Sequence, residues 1–301
     1  MKVLITGGAG FIGSNLATYL LAKGHQVTAL DYSAAHVKRL PKGCAFVGAD
    51  ITDKGAIMSA MQDHDAVVHL AAMVSVPETM ERPERAEQVN VIGAINVLAA
   101  AKAAKAKKVV LASSAAVYGL EPSTPTKESE RPQPMSPYAI TKLAMEDYAA
   151  LFASQGLPTV CLRFFNVYGP GQDPSSQYAA VIPAFISRAI AGKRITIYGD
   201  GEQTRDFVYV ADVCRAIELA LAKGAGNINI ATERNVSVNG LANEIIRITK
   251  SKSEVVHAAA RLGDPRTSLA DISKAKKELG FVAMTSLAEG LKRTVEYFKK
   301  L

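Results

Sequence analysis

The sequence predicts an α/β fold, in which a doubly wound parallel sheet is followed by a smaller C-terminal lobe. Short apolar runs alternate with amphipathic stretches throughout the first half of the chain, which is the pattern of strands joined by crossover helices. The apolar runs are continuous rather than alternating, as expected of strands covered on both faces of a sheet. A cluster of glycines also separates the first apolar run from the first amphipathic stretch.

Six strands are predicted in the first half, each from a short apolar run: 3–5, 27–30, 44–48, 66–70, 107–113 and 158–163. The amphipathic stretches between them predict helices at 11–23, 54–62, 84–105 and 137–155. Because helices connect the strands, we expect neighbouring strands to run parallel.

After about residue 170 the rhythm changes, because Pro170, Gly171 and Pro174 predict longer loops. Short strands are predicted at 195–198 and 228–230, with helices at 178–191, 210–222, 238–250 and 287–299. We place the domain boundary so that residues 1–165 form the sheet domain, which also receives later segments, and residues 166–301 form most of the lobe. The lobe is expected to pack over the carboxyl edge of the sheet, where α/β folds bind ligands.

Composition excludes several classes of protein. The 301 residues, 31.9 kDa, are enough to bury a core without disulfides or a structural metal, and no metal site is predicted. Hydrophobic residues make up 49% and charged residues 21%, which excludes a disordered chain, a collagen and a disulfide scaffold. A net charge of +7 fits an anionic partner or simply a basic surface. No nucleic-acid-binding module is recognisable, so we expect no nucleic-acid partner.

The cysteines and the N-terminus predict a cytoplasmic protein. Cys44, Cys161 and Cys214 lie far apart and show no paired spacing, as reduced thiols do. Glycines interrupt the N-terminal apolar run, so it does not resemble a signal peptide. No stretch of about 18 apolar residues is present, so no membrane span is predicted.

The glycine cluster suits a dinucleotide. Gly7, Gly10 and Gly13 lie between the first strand and the first helix, where close approach to a pyrophosphate leaves no room for a Cβ atom. A tight turn alone would use the same residues. Asp31, at the end of the second strand, can bind an adenosine ribose and would repel a 2′-phosphate, so NAD is favoured over NADP. Asp50–Ile51 is expected to close the third strand and border the adenine.

A second group of residues suits proton transfer. Tyr138 and Lys142 are four residues apart and share one helical face, where an ammonium lowers the pKa of a phenol. Such a tyrosine can exchange a hydroxyl proton near neutral pH. The same spacing also occurs by chance on solvated helices. Ser114, at the end of a predicted strand, offers a hydroxyl to the same substrate oxygen.

The glycine spacing over 6–13, Gly-x-x-Gly-x-x-Gly, resembles that of the extended short-chain dehydrogenase/reductases. The segments 50–53 and 69–72 match the same superfamily. The resemblance implies a modified Rossmann sheet and a catalytic triad of Ser114, Tyr138 and Lys142. It also implies that NAD is bound by the following residues: Gly7, Gly10, Phe11, Ile12, Gly13, Asp31, Asp50, Ile51, Leu70, Ala71, Ala72 and Lys142.

One departure from that superfamily narrows the chemistry. In its nucleotide-sugar dehydratases the residues after the serine are acidic and supply the acid and base for water elimination, and related decarboxylases carry a glutamate there. Here these positions are Ala115 and Ala116. Alanine cannot transfer a proton, so dehydration and decarboxylation are disfavoured and hydride transfer remains.

The second half of the chain carries polar residues suited to a nucleoside diphosphate. Arg205 and Arg261 can clamp a diphosphate, Asp264 can accept from a ribose diol, and Asn166 can hold a phosphate or sugar oxygen. Taken singly, each is also explained by a surface salt bridge or a turn cap.

As a set these residues resemble UDP-glucose 4-epimerases and UDP-N-acetylglucosamine 4-epimerases, over residues 1 to about 280. The resemblance implies that Asn166, Arg205 and Arg261 contact the substrate phosphates and that Asp264 contacts the uridine ribose.

Two positions bear on the sugar and on phosphate binding. Ser268 falls where that family has either a bulky tyrosine or a small residue, and a small side chain leaves space for a 2-acetamido group. Val74 stands where some bacterial epimerases place a lysine near the diphosphate, so that contact is absent or replaced.

The predicted function is NAD-dependent 4-epimerisation of a UDP-hexose through a transient 4-keto sugar, with glucose and galactose or their N-acetylated forms as the sugars. Alternatives are another nucleotide-sugar epimerase acting on a UDP-uronic acid or UDP-pentose, a net reductase, and a non-catalytic dinucleotide-binding regulator. By resemblance, the helices at 84–105 and 137–155 form the contact of a homodimer.

Overall fold

A seven-stranded parallel sheet organises the fold. The computed structural model describes residues 1–174, 180–260 and 263–301, and of residues 34 and 35 the backbone alone. The strand order is β10-β6-β5-β4-β1-β2-β3. These strands are β1 (Lys2–Thr6), β2 (Gln26–Asp31), β3 (Ala45–Gly48), β4 (Ala66–His69), β5 (Lys108–Ser114), β6 (Thr159–Phe164) and β10 (Gly226–Ile230). The predicted α/β fold with a doubly wound sheet is confirmed.

Helices cover both faces of this sheet. The helices in the described residues are α1 (Phe11–Ala22), α2 (Lys54–Ala60), α3 (Val76–Glu81), α4 (Pro83–Glu87), α5 (Gly93–Ala103), α6 (Pro137–Ser154), α7 (Val181–Ile190), α8 (Val210–Ala222), α9 (Val238–Thr249) and α10 (Leu287–Phe298). Helix α5 packs between α2 and α6, and α1 packs on α8. None of the helices in the described ranges is both long and apolar enough to cross a membrane.

The strand order creates a crevice at the carboxyl edge of the sheet. Strand β1 pairs with β2 on one side and with β4 on the other. The chain therefore adds β2 and β3 on one side of β1 and then crosses over to add β4, β5 and β6 on the other side. Parallel sheets of this kind bind ligands at such a reversal. Strands β4, β5 and β6 follow in order, so the segments after β1, β4 and β5 meet at one edge.

Two small sheets build the lobe. Strands β7 (Asn166–Tyr168), β9 (Thr204–Tyr209) and β11 (Asn235–Ser237) form one, with β9 in the centre. Strands β8 (Ile195–Tyr198) and β12 (Val255–Ala258) form the other. The sequence analysis missed β7, β9, β11 and β12, because each is short and is defined by a distant partner rather than by its own pattern.

Two features of the first half differ from the expectation. The helix predicted at 84–105 is interrupted by a π-helical turn at Gln88–Ile92. There the Asn90 side chain exchanges two hydrogen bonds with the Met73 backbone, at 2.7 and 3.0 Å, and donates to Thr141 Oγ1 at 3.0 Å. In addition, β3 ends at Gly48, so Asp50–Ile51 lies in the following turn instead of closing the strand.

Candidate active site

The glycine turn after β1 is packed too tightly for larger residues. Gly7 has φ +67°, and a Cβ atom on it would lie 2.7 Å from the Ala71 backbone nitrogen. A Cβ atom on Gly13 would lie 2.2 Å from the Gly7 carbonyl oxygen. Gly10 is the N-cap of α1 and provides no side-chain cap, and the first turn of α1 has no acidic residue. The turn therefore presents a helix N-terminus on which a pyrophosphate can sit.

Asp31 fastens the glycine turn to the end of β2. Its carboxylate accepts hydrogen bonds from the backbone N–H groups of Ala9 and Ser33, both at 3.2 Å. The side chain is buried. A carboxylate at this place has further lone pairs for a ribose diol, and it opposes a 2′-phosphate by charge.

The turn after β3 is anchored to the neighbouring helices. Burial opposes ionisation of Asp50, but hydrogen bonds from Thr52 and the charge of Arg85 hold its pKa below the usual range. Ile51 is buried against α5, where a Cβ atom on Gly93 would lie 2.5 Å from its Cδ1 atom. The backbone of Ile51 also accepts a hydrogen bond from Asn96 at 3.0 Å.

The segment after β4 lies directly beside the glycine turn. The Leu70 N–H donates to the Thr6 carbonyl at 3.1 Å, and the Ala71 N–H donates to Thr6 Oγ1 at 3.4 Å. Burial and the positive charge of Lys142 lower the pKa of His69 to about 3, so this imidazole is neutral. Its Nδ1 atom is 2.7 Å from Thr6 Oγ1. Residues 70–72, predicted to contact the cofactor, therefore line the same crevice as Gly7.

The structure brings Ser114, Tyr138 and Lys142 together. Ser114 is the last residue of β5, and Tyr138 is the second residue of α6. Burial raises the pKa of Tyr138, and a hydrogen bond from Ser114 opposes this rise. The Lys142 Nζ atom lies 5.9 Å from the centre of the Tyr138 ring and donates to the Ala112 carbonyl at 2.7 Å.

Lys142 is held in an environment that weakens its proton affinity. Burial lowers its pKa to about 8, against the opposing influence of Cys161 and Glu146. The ammonium is therefore present at neutral pH but is lost more readily than that of an exposed lysine. An ammonium beside a buried phenol is the arrangement that favours a phenolate.

The two residues that follow Ser114 carry no proton donor. Ala115–Tyr118 forms a single 3₁₀ turn, which Ser114 caps by accepting the Ala116 N–H at 3.2 Å. Positions 115 and 116 offer methyl groups only. This turn therefore lacks the acidic side chains that the dehydratases and decarboxylases of the superfamily carry directly after the serine.

The lobe gathers several predicted substrate residues around β9. Arg205 forms an ion pair with Asp264 and also donates to the Thr204 carbonyl at 2.7 Å. Asn166, on the adjacent β7, donates to the Asp206 carbonyl at 2.9 Å. The Ser268 N–H donates to the Thr204 carbonyl at 3.1 Å. Arg261 lies outside the described residues.

Sequence reasoning missed the residues that support the triad. Asn90 joins the loop after β4 to α6 through Met73 and Thr141. Glu146, one turn after Lys142, is fully buried and binds Arg163 and Ser113. A signal for Glu146 existed in the sequence, because a carboxylate at this spacing shares the helical face of Tyr138 and Lys142.

Known proteins match this sequence and fold over nearly the whole chain. The sequence matches the NAD dependent epimerase/dehydratase family over residues 3–231. A crystal structure of UDP-glucose 4-epimerase from Thermotoga maritima with UDP-glucose is 40% identical, with a TM-score of 0.96, and covers 100% of this chain and 99% of its own. UDP-N-acetylglucosamine 4-epimerase from Methanobrevibacter ruminantium, in complex with UDP-N-acetylmuramic acid, is 39% identical, with a TM-score of 0.95. The match covers 99% of this chain and 98% of that chain.

Relatives with other reactions are about as similar. UDP-N-acetyl-alpha-D-glucosaminuronate decarboxylase of Bacillus cytotoxicus is 35% identical over 100% of this chain and 98% of its own. The resemblance to extended short-chain dehydrogenase/reductases and the prediction of NAD as cofactor are both confirmed. With its glycine turn, its Ser114–Tyr138–Lys142 cluster and this match over most of its length, the chain belongs to the NAD dependent epimerase/dehydratase family.

Proposed function

We propose that the protein interconverts the C4 epimers of a UDP-hexose. The observation that carries this proposal is that Ser114, Tyr138 and Lys142 lie together at the carboxyl end of β5, with no acid at position 115 or 116. This set can move a hydroxyl proton but has no acidic side chain at positions 115 and 116 for eliminating water or carbon dioxide. Epimerisation needs nothing more than proton and hydride exchange at one carbon.

The residues around the crevice fit NAD. A Cβ atom on Gly7 or Gly13 would clash with neighbouring backbone, so only glycine permits this tight turn, which with Gly10 presents the N-terminus of α1 to a pyrophosphate. Asp31 suits the adenosine ribose. Bound NAD supplies the hydride acceptor that returns the hydride to the sugar in the same cycle. Lys142 is the residue that we expect to hold the nicotinamide ribose.

Tyr138 is the proposed base. Its oxygen would take the proton of the sugar 4-hydroxyl, while Ser114 donates a hydrogen bond to the same oxygen and Lys142 favours the phenolate. In the ligand-free protein burial raises the pKa of Tyr138, so the phenol rests in its neutral form and must give its own proton to solvent before it can act as the base. Return of the proton from Tyr138 completes the exchange, and no net acid or base is consumed.

The lobe is proposed to anchor the UDP moiety. Arg205, Asn166 and Arg261 would bind the diphosphate and Asp264 the uridine ribose. Arg205 and Asp264 form an ion pair, so both side chains lie together in the lobe, where the nucleotide is expected. Anchoring the nucleotide allows the transient 4-keto sugar to rotate within the site, so that it presents its opposite face without dissociating.

The glucose and galactose pair is the proposed substrate, and the N-acetylated pair is compatible with it. The structure of the relative from Thermotoga maritima contains UDP-glucose, and the structure of the one from Methanobrevibacter ruminantium is a complex with UDP-N-acetylmuramic acid. Ser268 is small, which gives steric room for a 2-acetamido group.

The test is to incubate the purified protein with UDP-galactose and UDP-N-acetylgalactosamine separately and to analyse the sugars formed. We expect conversion to the C4 epimer without net accumulation of NADH. Tyr138→Phe is expected to reduce turnover by roughly 100-fold or more, because it removes the base, while UDP binding by calorimetry remains. Steady NADH formation would instead indicate a dehydrogenase, and no conversion of either sugar would reject the hexose epimerase.

A further inference from the structure

The end of β5 is joined to the catalytic helix at three successive turns. Three consecutive strand residues each contact one turn of α6: Ser114 with Tyr138, Ala112 with Lys142, and Ser113 with Glu146. The first two contacts involve the proposed catalytic residues. The third involves a carboxylate to which the mechanism gives no role, although it lies on the same helical face.

The Glu146 carboxylate is saturated by hydrogen bonds. Oε1 accepts from Ser113 Oγ at 2.5 Å and from Arg163 Nε at 2.8 Å. Oε2 accepts from Arg163 Nη2 at 2.6 Å and from Asn227 Nδ2 at 2.8 Å. The side chains of Glu146 and Arg163 are each 2% exposed. Such short, charge-assisted and bidentate contacts define geometry more strictly than apolar packing does.

These contacts tie α6 to three adjacent strands. Ser113 belongs to β5, Arg163 to β6 and Asn227 to β10, which are neighbours in the sheet. A rotation or a shift of α6 along the sheet would break several of the bonds together. The position of Tyr138 relative to Ser114 therefore depends on a group two helical turns away.

The charge of Glu146 also reaches Lys142. Four titratable groups face Lys142 from the elements packed on it: His69 of β4, Cys161 of β6, and Tyr138 and Glu146 of α6. Of these four, His69 is neutral and burial raises the pKa of the Cys161 thiol and the Tyr138 phenol, so both keep their protons. Glu146 is paired with Arg163, but its negative charge still favours the Lys142 ammonium.

We propose that Glu146 is a positioning residue for the reaction, which holds Tyr138 and Lys142 in register with Ser114 and helps to keep Lys142 charged. This inference rests on the proposed function, because it assigns the role through the triad. A merely structural buried ion pair would stabilise the fold but would leave the ionisation of Lys142 unchanged.

The test compares Glu146→Gln with the wild-type enzyme in complex with NAD. Glutamine preserves the size of the side chain but removes the charge and one acceptor. We expect kcat to fall by about 10- to 100-fold, since small misplacements of catalytic groups have such effects, while KM for the UDP-sugar stays within twofold. The alkaline limb of the kcat/KM profile should move to lower pH, because the Lys142 ammonium loses its supporting charge. Glu146→Asp, which keeps the charge, should restore that limb.

A matched control is Glu218→Gln, which likewise replaces a hydrogen-bonded carboxylate by an amide, here at the acceptor of the Tyr19 hydroxyl between α1 and α8. It should leave kcat and the alkaline limb unchanged. If Glu146→Gln does not fold, Ser113→Ala removes one of the four bonds and keeps the charge pair, and kcat should fall with KM unchanged. A loss of activity that only follows the folded fraction would overturn the proposal.

A readout independent of turnover separates this proposal from the proposed function. Lysine labelled with ¹³C at Cε reports the pKa of Lys142 by NMR, with the signal assigned through Lys142→Met. We expect a lower pKa in Glu146→Gln than in the wild type, whether or not a UDP-hexose is the substrate. An unchanged pKa together with an unchanged kcat would reject the role of Glu146, whereas failure of the wild type to epimerise would reject the proposed function alone.

Discussion

At the scale of single residues, Lys142 is the group whose ionisation we expect to limit activity at alkaline pH. Its folded pKa, about 8, is below the ordinary value because the side chain is buried. A lysine with a lowered pKa keeps its charge below that value and loses it as the pH rises through it. Favouring the Tyr138 phenolate requires the charged form.

We therefore expect kcat/KM to decline above about pH 8, since kcat/KM reports the ionisations of the free enzyme. The measurement is the initial rate of epimerisation from about pH 6 to about pH 10, in buffers of constant ionic strength. This range extends roughly two pH units on each side of the Lys142 pKa. In Lys142→Arg, whose guanidinium stays protonated, the residual activity should show no such decline. A wild-type profile that stays flat through pH 10 would contradict the assignment.

At the scale of elements, the C-terminal helix depends on one close approach. Gly290 of α10 lies against Tyr168 of β7, where an added Cβ atom would be 2.1 Å from the phenol oxygen. The Tyr168 ring in turn packs edge-on against Phe207 and Tyr209 of β9, which is the strand that carries Arg205. Helix α10 thus supports the strands that carry the proposed substrate residues.

Gly290→Ala should lower the free energy of unfolding by roughly 1–3 kcal/mol, because a methyl group is forced into a packed site. The measurement is urea unfolding followed by circular dichroism. The matched control is Gly55→Ala in α2, where the position is exposed and the nearest atom to a new Cβ would be 3.4 Å away. There alanine should stabilise the helix by about 0.5–1 kcal/mol. Equal effects at both positions would argue against close packing at Gly290.

The elements also show how far sequence reasoning extends. Buried strands such as 66–69 and 108–114 were predictable because parallel strands covered on both faces need continuous apolar runs. The triad was predictable because a four-residue spacing puts Tyr138 and Lys142 on one face of a helix, and because Ser114 lies at the end of a strand, where α/β folds bind ligands. The π-helical turn at 88–92 was not, since it depends on the contacts of Asn90 with Met73 and Thr141, which are distant in the chain. The contacts of Glu146 with three strands were not predictable either, because their partners are also distant in the chain. Only the position of Glu146 on the same helical face as Tyr138 and Lys142 could be predicted.

At the scale of the whole molecule, one apolar face is left uncovered. Ile140, Tyr148 and Leu151 of α6 are exposed, and so is Ile92 of the adjoining π-helical turn. Helices α5 and α6 pack side by side, so two copies of this face would form a four-helix contact. This supports the homodimer that the sequence analysis predicts, which stays a proposal.

We expect light scattering after size-exclusion chromatography to give twice the chain mass. Leu151→Glu should shift the protein towards the monomer, because it places a charge in an apolar contact. Ile190→Glu on α7 is the control, since Ile190 is also exposed but lies on a different helix. A wild-type protein that elutes as a monomer at micromolar concentration would reject this face as a homodimer contact.

The edge position of β10 has a consequence for the growing polypeptide. All six residues of β6 are buried, and β10 covers its outer edge only once residues 226–230 have been synthesised. Until then a nascent chain emerging from the ribosome would carry the complete glycine turn and triad next to an unpaired apolar strand, which is the kind of edge that recruits other chains. Amino-terminal fragments that stop before residue 226 should therefore associate during translation, and the crevice would mature only when the second half of the chain arrives.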